Sequence, residues 1–135
     1  MKFKFLEHTA DIKFQAQGVS LDKMFENAGL ALIKSMFEEK VKAKKKENFK
    51  IQGQDLESLL YNFLEEFLFL FEAKGFLASK IKVKMSKDKK SLEAEIQGDD
   101  AKNYKIHTHI KAITYNEMFV KQQGKNWVCQ VVLDI

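Results

Sequence analysis

"KIKVKMSKDKKSLEAEIQG", residues 80–98, decides the fold. In its first half lysines alternate with Ile81, Val83 and Met85; in its second, acids alternate with Leu92, Ala94 and Ile96. Strict alternation sends the two sets of side chains to opposite faces of a strand. The polar "SKDKK" between the halves reads as a hairpin connection. An antiparallel pair with one apolar face needs a second layer to cover it.

That layer lies upstream. Residues 55–74, "DLESLLYNFLEEFLFLFEAK", carry an apolar stripe of Leu56, Leu59, Leu60, Phe63, Leu64, Phe67 and Leu68 at helical spacing, with Glu57, Glu65 and Glu66 outside it. Gly75 fits the left-handed residue that ends many helices. An earlier helix starts after Gly18, with Ser20 as N-cap and Asp22 in the first turn. Leu21, Met24, Phe25, Ala28, Ala31, Leu32 and Met36 form its apolar face. "FLFLF" at 67–71 is apolar all round, which predicts central burial rather than a surface awaiting a partner.

Strands are predicted around residues 2–6, 12–17 and 40–52, and after the hairpin in "YKIHTHIKAITY", "EMFVKQQ" and "WVCQVVLDI". The order is strand, strand, helix, strand, helix, then five strands. This is an α+β pattern: a two-layer domain, two helices packed on a largely antiparallel sheet, filling residues 1–135 as one unit.

Composition narrows the function classes. A hydrophobic fraction of 45% is enough for a folded core. No stretch stays apolar for the roughly 18 residues of a membrane span, so no membrane partner is expected. "MKFKFLEH" lacks a signal peptide's apolar segment. The single cysteine, Cys129, leaves no internal disulfide, and cytoplasmic residence is the expectation. Much of the net charge of +4 comes from "KVKAKKKENFK" at 40–50, where Lys40, Lys42, Lys44 and Lys46 alternate with Val41 and Ala43. A lysine-protected edge strand is the preferred reading, and a surface for RNA the other.

Enzyme motifs are missing: there is no Gly-rich phosphate loop, no nucleophile elbow and no His-Glu-x-x-His helix. Cys129 sits in an apolar run and reads as a buried thiol. His107 and His109 would share a strand face with Lys111, but no acid or thiol at matching spacing completes a metal set, so a solvent face is expected. The acids at the two chain ends carry more. In "FLEHTADIKF", residues 5–14, a polar group interrupts an apolar strand, and "VVLDI" stops on Asp134 and the Ile135 carboxylate. If the first and last strands are neighbours, Asp11, Asp134 and Ile135 bring three carboxylates to one sheet edge, a set suited to hard cations such as Ca²⁺, Mg²⁺ or Mn²⁺. The competing reading is a capped turn at Asp11 and a solvated terminus.

"EHTADI" at 7–12, "DLESLLYNFLEEFLFLFE" at 55–72, "KAITY" at 111–115 and the final "DI" together resemble the archease family in order and spacing, over nearly the whole chain. The resemblance implies a helper rather than an enzyme. Archeases assist the RtcB-type RNA ligase, which joins tRNA halves with GTP and Mn²⁺, by promoting ligase guanylylation and repeated turnover. It also implies a metal site at Asp11, Asp134 and Ile135, taking a divalent cation, Ca²⁺ ahead of Mn²⁺ or Mg²⁺. His8, Thr9 and Lys111 would orient those groups or touch the ligase. The chain departs from the family pattern at Asn116, where a histidine is expected, and at Asp99, where a glutamate is expected. The reading from another class is a small basic RNA-binding or chaperone-like module built on the lysine run, and weak RNA contact fits either.

Overall fold

The computed structural model describes residues 2–7 and 10–135. Its elements run β1 (Phe3–Leu6), β2 (Asp11–Gly18), α1 (Leu21–Met36), β3 (Lys45–Gln52), α2 (Leu56–Lys74), β4 (Phe76–Met85), β5 (Ser91–Asp100), β6 (Ala112–Gln123) and β7 (Asn126–Asp134), with a 3-10 turn at Ala101–Asn103.

Both helices begin and end where the sequence puts them. Ser20 Oγ accepts the Lys23 N–H at 3.2 Å to cap α1. At α2 the cap is reciprocal: Asp55 Oδ1 accepts the Ser58 N–H at 2.7 Å, and the Asp55 N–H donates to Ser58 Oγ at 3.1 Å. Gly75, at φ 62°, turns left-handed and donates to Leu70 and Phe71 carbonyls.

The strands form two antiparallel sheets, ordered β1-β2-β7-β6 and β3-β5-β4. α1 packs on β2 and β4 and α2 on β6 and β4, so the helices join the two sheets around one core. At its centre Phe25, Phe49, Phe63 and Phe67 meet at ring separations of 5.0–6.0 Å, mostly edge-on.

β4 lies at a sheet edge, and α1 covers its exposed donors. Glu26 Oε2 accepts the Val83 N–H at 3.0 Å and Asp22 Oδ1 accepts the Met85 N–H at 3.1 Å. The spacings match, since four helical residues rise about 6 Å and two strand residues about 6.6 Å.

Five expectations need correction. Four strands, not five, follow α2. Residues 104–111 leave the ladder, the His107 N–H bonding to the Met36 carbonyl, so His107 and His109 are not on a strand. "ITY" and "EMFVKQQ" belong to one strand, β6, because residues 115–118 bulge opposite the single Val131. The lysine run joins the edge strand only from Lys45; Val41 is instead buried, its carbonyl accepting from Ser79 Oγ at 2.6 Å. "FLFLF" is not wholly buried, for Phe69 remains 54% exposed.

Asp99 also has a structural role. Just before it, a side chain at Gly98 would collide with the Leu77 carbonyl, so β5 can pass β4 there only as glycine. Asp99 itself is enclosed and accepts from Tyr104 Oη at 2.8 Å and from the Asp100 N–H at 2.8 Å, while Tyr104 Oη accepts the Lys42 N–H at 2.9 Å.

Candidate functional site

β7 runs through the middle of its sheet, and its last residue is where the chain ends meet. Asp134 stands opposite Asp11 of β2 on one side and Ala112 of β6 on the other. The Lys111 N–H donates to the Asp134 carbonyl at 2.7 Å, which fixes the strand end. Alternation sends Ile12 and Leu133 to the core and Asp11 and Asp134 to the other face. Directly opposed residues have Cβ atoms about 4.5–5.5 Å apart, within reach of one shared cation. Asp134 is exposed and Asp11 half-buried, and Ile135 follows at 37% exposure.

The backbone turns sharply into this pair. Ala10 has φ 65°, a left-handed conformation that ordinary side chains disfavour and that recurs where a site constrains the chain. His8 and Thr9 lie outside the described residues. Lys111 is exposed beside Asp134. His107 and His109 are exposed, with His107 Nδ1 2.9 Å from Thr108 Oγ1.

Below the aspartates runs a polar chain that sequence reasoning missed. Lys13 Nζ donates to Glu117 Oε1 at 3.0 Å, the Glu117 carbonyl accepts from Gln130 Nε2 at 2.9 Å, and Gln15 Nε2 donates to Gln130 Oε1 at 2.9 Å. Glu117 reaches all this from the β6 bulge, where its φ is 55°. The only sequence signal was "NE" after "ITY", which reads equally as a turn.

The donor set fits a hard cation in kind. Two carboxylates face each other in register, an all-oxygen pair. Among the described residues no group of three or more His, Cys, Asp or Glu side chains is placed to hold a metal, so further oxygens would come from main chain, water or a partner. Cys129 is fully buried, and burial pushes its thiol up to about 12, which suits core packing and not nucleophilic attack. No helix among the described residues is long and apolar enough to cross a membrane.

The chain belongs to the Archease protein family, whose profile matches residues 3–135. It is 37% identical over 137 residues to the protein archease of Sulfurisphaera tokodaii, covering 99% of both chains. It is 36% identical over 140 residues to that of Methanosarcina mazei, covering 99% of this chain and 96% of the other. The solution structure of protein 1598 from Methanobacterium thermoautotrophicum superimposes with a TM-score of 0.87 at 33% identity, over 99% of each chain. An archease from Thermotoga maritima, described as a possible chaperone, shares the fold at a TM-score of 0.67 and 21% identity, over 98% of this chain and 96% of that one.

Proposed function

We propose that this protein is a non-catalytic cofactor of an RtcB-type, GTP-dependent RNA ligase in tRNA splicing, and that it promotes ligase guanylylation through a cation-binding tip. The observation that carries the reading is the register of Asp11 against Asp134 at the end of the central strand, in a chain of the archease family. Asp11 and Asp134 would supply carboxylate oxygens and Ile135 main-chain oxygen, with His8, Thr9 and Lys111 as the expected ligase contacts. Ca²⁺ takes six to eight oxygens. Asp11, Asp134 and Ile135 need not fill that shell, so a cation held there would keep ligand positions open for water or a partner. Guanylylation gathers phosphate charge at one centre, and a divalent ion offsets it there.

The test is formation of the ligase–GMP adduct from radiolabelled GTP, with the cognate ligase alone, with this protein, and with Asp134→Ala. Stimulation by the wild type and not the variant is the expected result. Stimulation by both sinks the tip mechanism, and stimulation by neither sinks the cofactor reading.

One observation favours the RNA-binding alternative. On the outer face of the second sheet, Lys46, Lys50, Lys80, Lys82 and Lys84 stand in rows on either side of β5. The β5 acids between them weaken that case: Glu93 lies between Lys50 and Lys84, with Lys50 Nζ 3.3 Å away. Steeply salt-dependent RNA binding, lost in the triple change Lys80→Gln, Lys82→Gln and Lys84→Gln, would favour that reading.

A further inference from the structure

α2 is an acidic island in a basic protein. From its cap to its end it carries Asp55, Glu57, Glu65, Glu66 and Glu72 against Lys74 alone, a net of −4 in a chain of net +4. Its outer side forms one wall of an open groove of about 710 Å³, whose other walls come from β3 and from the first residues of β6. Glu65, Glu66, Phe69 and Glu72 line the α2 side, with Leu68 and Ile113 also in the lining. Lys111 and Ala112, which bond to or pair with Asp134, are also in the lining, so the groove lies beside the Asp134 tip.

Two aromatic groups on this side are more exposed than packing requires. Phe69 is 54% exposed although its neighbours Leu68 and Leu70 are buried. Tyr115 is 53% exposed and stacks on Tyr61 of α2, ring centroids 4.4 Å apart and planes 9° off parallel. The stack is joined to the acids. The Tyr61 hydroxyl is pushed up by burial first and then by the charge and hydrogen bond of Glu65, one turn along the helix. Partial burial likewise raises Glu66, and the Glu65 charge adds to it.

In the lining three carboxylates, Glu65, Glu66 and Glu72, outnumber the two lysines, Lys50 and Lys111, and the exposed rings stand on the acidic α2 side. Aromatic faces beside carboxylates favour cations that also bury hydrocarbon, which describes arginine and lysine side chains. We propose that this groove docks a basic, apolar-anchored segment of a partner protein, with Phe69 as the apolar contact in the groove, the Tyr61–Tyr115 stack extending it beyond Glu65, and Glu65, Glu66 and Glu72 as the charge partners. The inference rests on the cofactor reading above and names the partner as the ligase itself. Docking along α2 then delivers the neighbouring Asp134 tip to the reacting centre.

The experiment measures binding of the cognate ligase by calorimetry to three proteins: wild type, a groove variant carrying Glu65→Gln, Phe69→Ser and Glu72→Gln, and Asp134→Asn. All three altered groove residues lie on the outer side of α2, and a melting curve verifies the fold. The expected result is at least about tenfold weaker binding by the groove variant, with wild-type affinity falling as salt rises. In the guanylylation assay the groove variant then needs correspondingly more protein for half-maximal stimulation but reaches the wild-type plateau. Asp134→Asn instead lowers the plateau and keeps most of the affinity. Wild-type stimulation with unchanged affinity in the groove variant overturns the groove and leaves the cofactor reading standing. A ligase that binds none of the three overturns both. If the groove variant melts early, Tyr115→Ala, which removes a half-exposed ring, replaces it under the same criteria.

Discussion

Lys111 donates its main-chain N–H to the carbonyl of Asp134 at 2.7 Å, so the end of the central strand is held by backbone and not by its carboxylate. The Asp134 side chain is exposed and free to serve another purpose. Asp11, its partner in register, does not contribute to the apolar core.

Replacing Asp11 with Asn should therefore leave the cooperative melting transition close to that of the wild type. Divalent-cation affinity, read by calorimetry with Ca²⁺ and Mn²⁺, should fall at least about tenfold, because removing one charge from a two-carboxylate set removes much of its attraction. Unchanged affinity would mean that cations bind elsewhere or not at all.

Glu26→Ala removes the acceptor for the Val83 N–H at the β4 edge. Hydrogen bonds to charged groups contribute about 1.5–3 kcal/mol, so the denaturant midpoint should drop by the equivalent of that range. Glu26→Gln keeps an acceptor and should cost less. Equal losses in the two variants would show that packing, not the hydrogen bond, sets the effect.

The Tyr104 hydroxyl is the largest cause holding the Asp99 carboxyl below its usual range. A depressed folded-state pKa contributes stability above the unfolded value, and that contribution is lost as pH falls through the folded one. Tyr104→Phe should therefore destabilise the protein at neutral pH, and the difference from wild type should shrink in acid, below the ordinary carboxylate range. A difference that stays constant from pH 7 to pH 3 would remove Asp99 from the account.

Cys129 tests the core from another side. Its thiol is pushed up to about 12 by burial, so it stays protonated at neutral pH and should react with a thiol reagent only at the rate of unfolding. A raised folded-state pKa also has the opposite linkage sign: stability is intact below the ordinary thiol value of 9.0 and declines as pH rises from there toward about 12. Reaction of the native protein as fast as free cysteine would contradict the burial.

Local signals reported well wherever one interaction range sufficed. Ser20, Asp55 and Gly75 marked helix ends because caps are chosen by neighbours within four residues. The 80–98 hairpin was legible because alternation and turn lie side by side in the sequence. The β6 bulge was not legible, because a two-residue period broken at Asn116 looks the same whether the chain turns back or swells outward and resumes. Gln130, distant in sequence, takes hold of the Glu117 carbonyl within the bulge. The "YKIHTHI" segment misled for a related reason. It alternates like a strand, but Ile110 is drawn into the core and the His107 N–H goes to the end of α1. At the tip, residue types alone proposed the meeting of Asp11 and Asp134, and register alone brought them face to face.

The carboxylates of Asp22 and Glu26 have a further effect outside the folded monomer. A strand whose outward N–H groups are already taken cannot serve as a template for an incoming chain. At Val83 and Met85 of β4 a stray extended peptide would meet a helix and two N–H donors already taken instead of an open ladder. In a crowded solution that closes one route to fibril growth without any proline in the sequence.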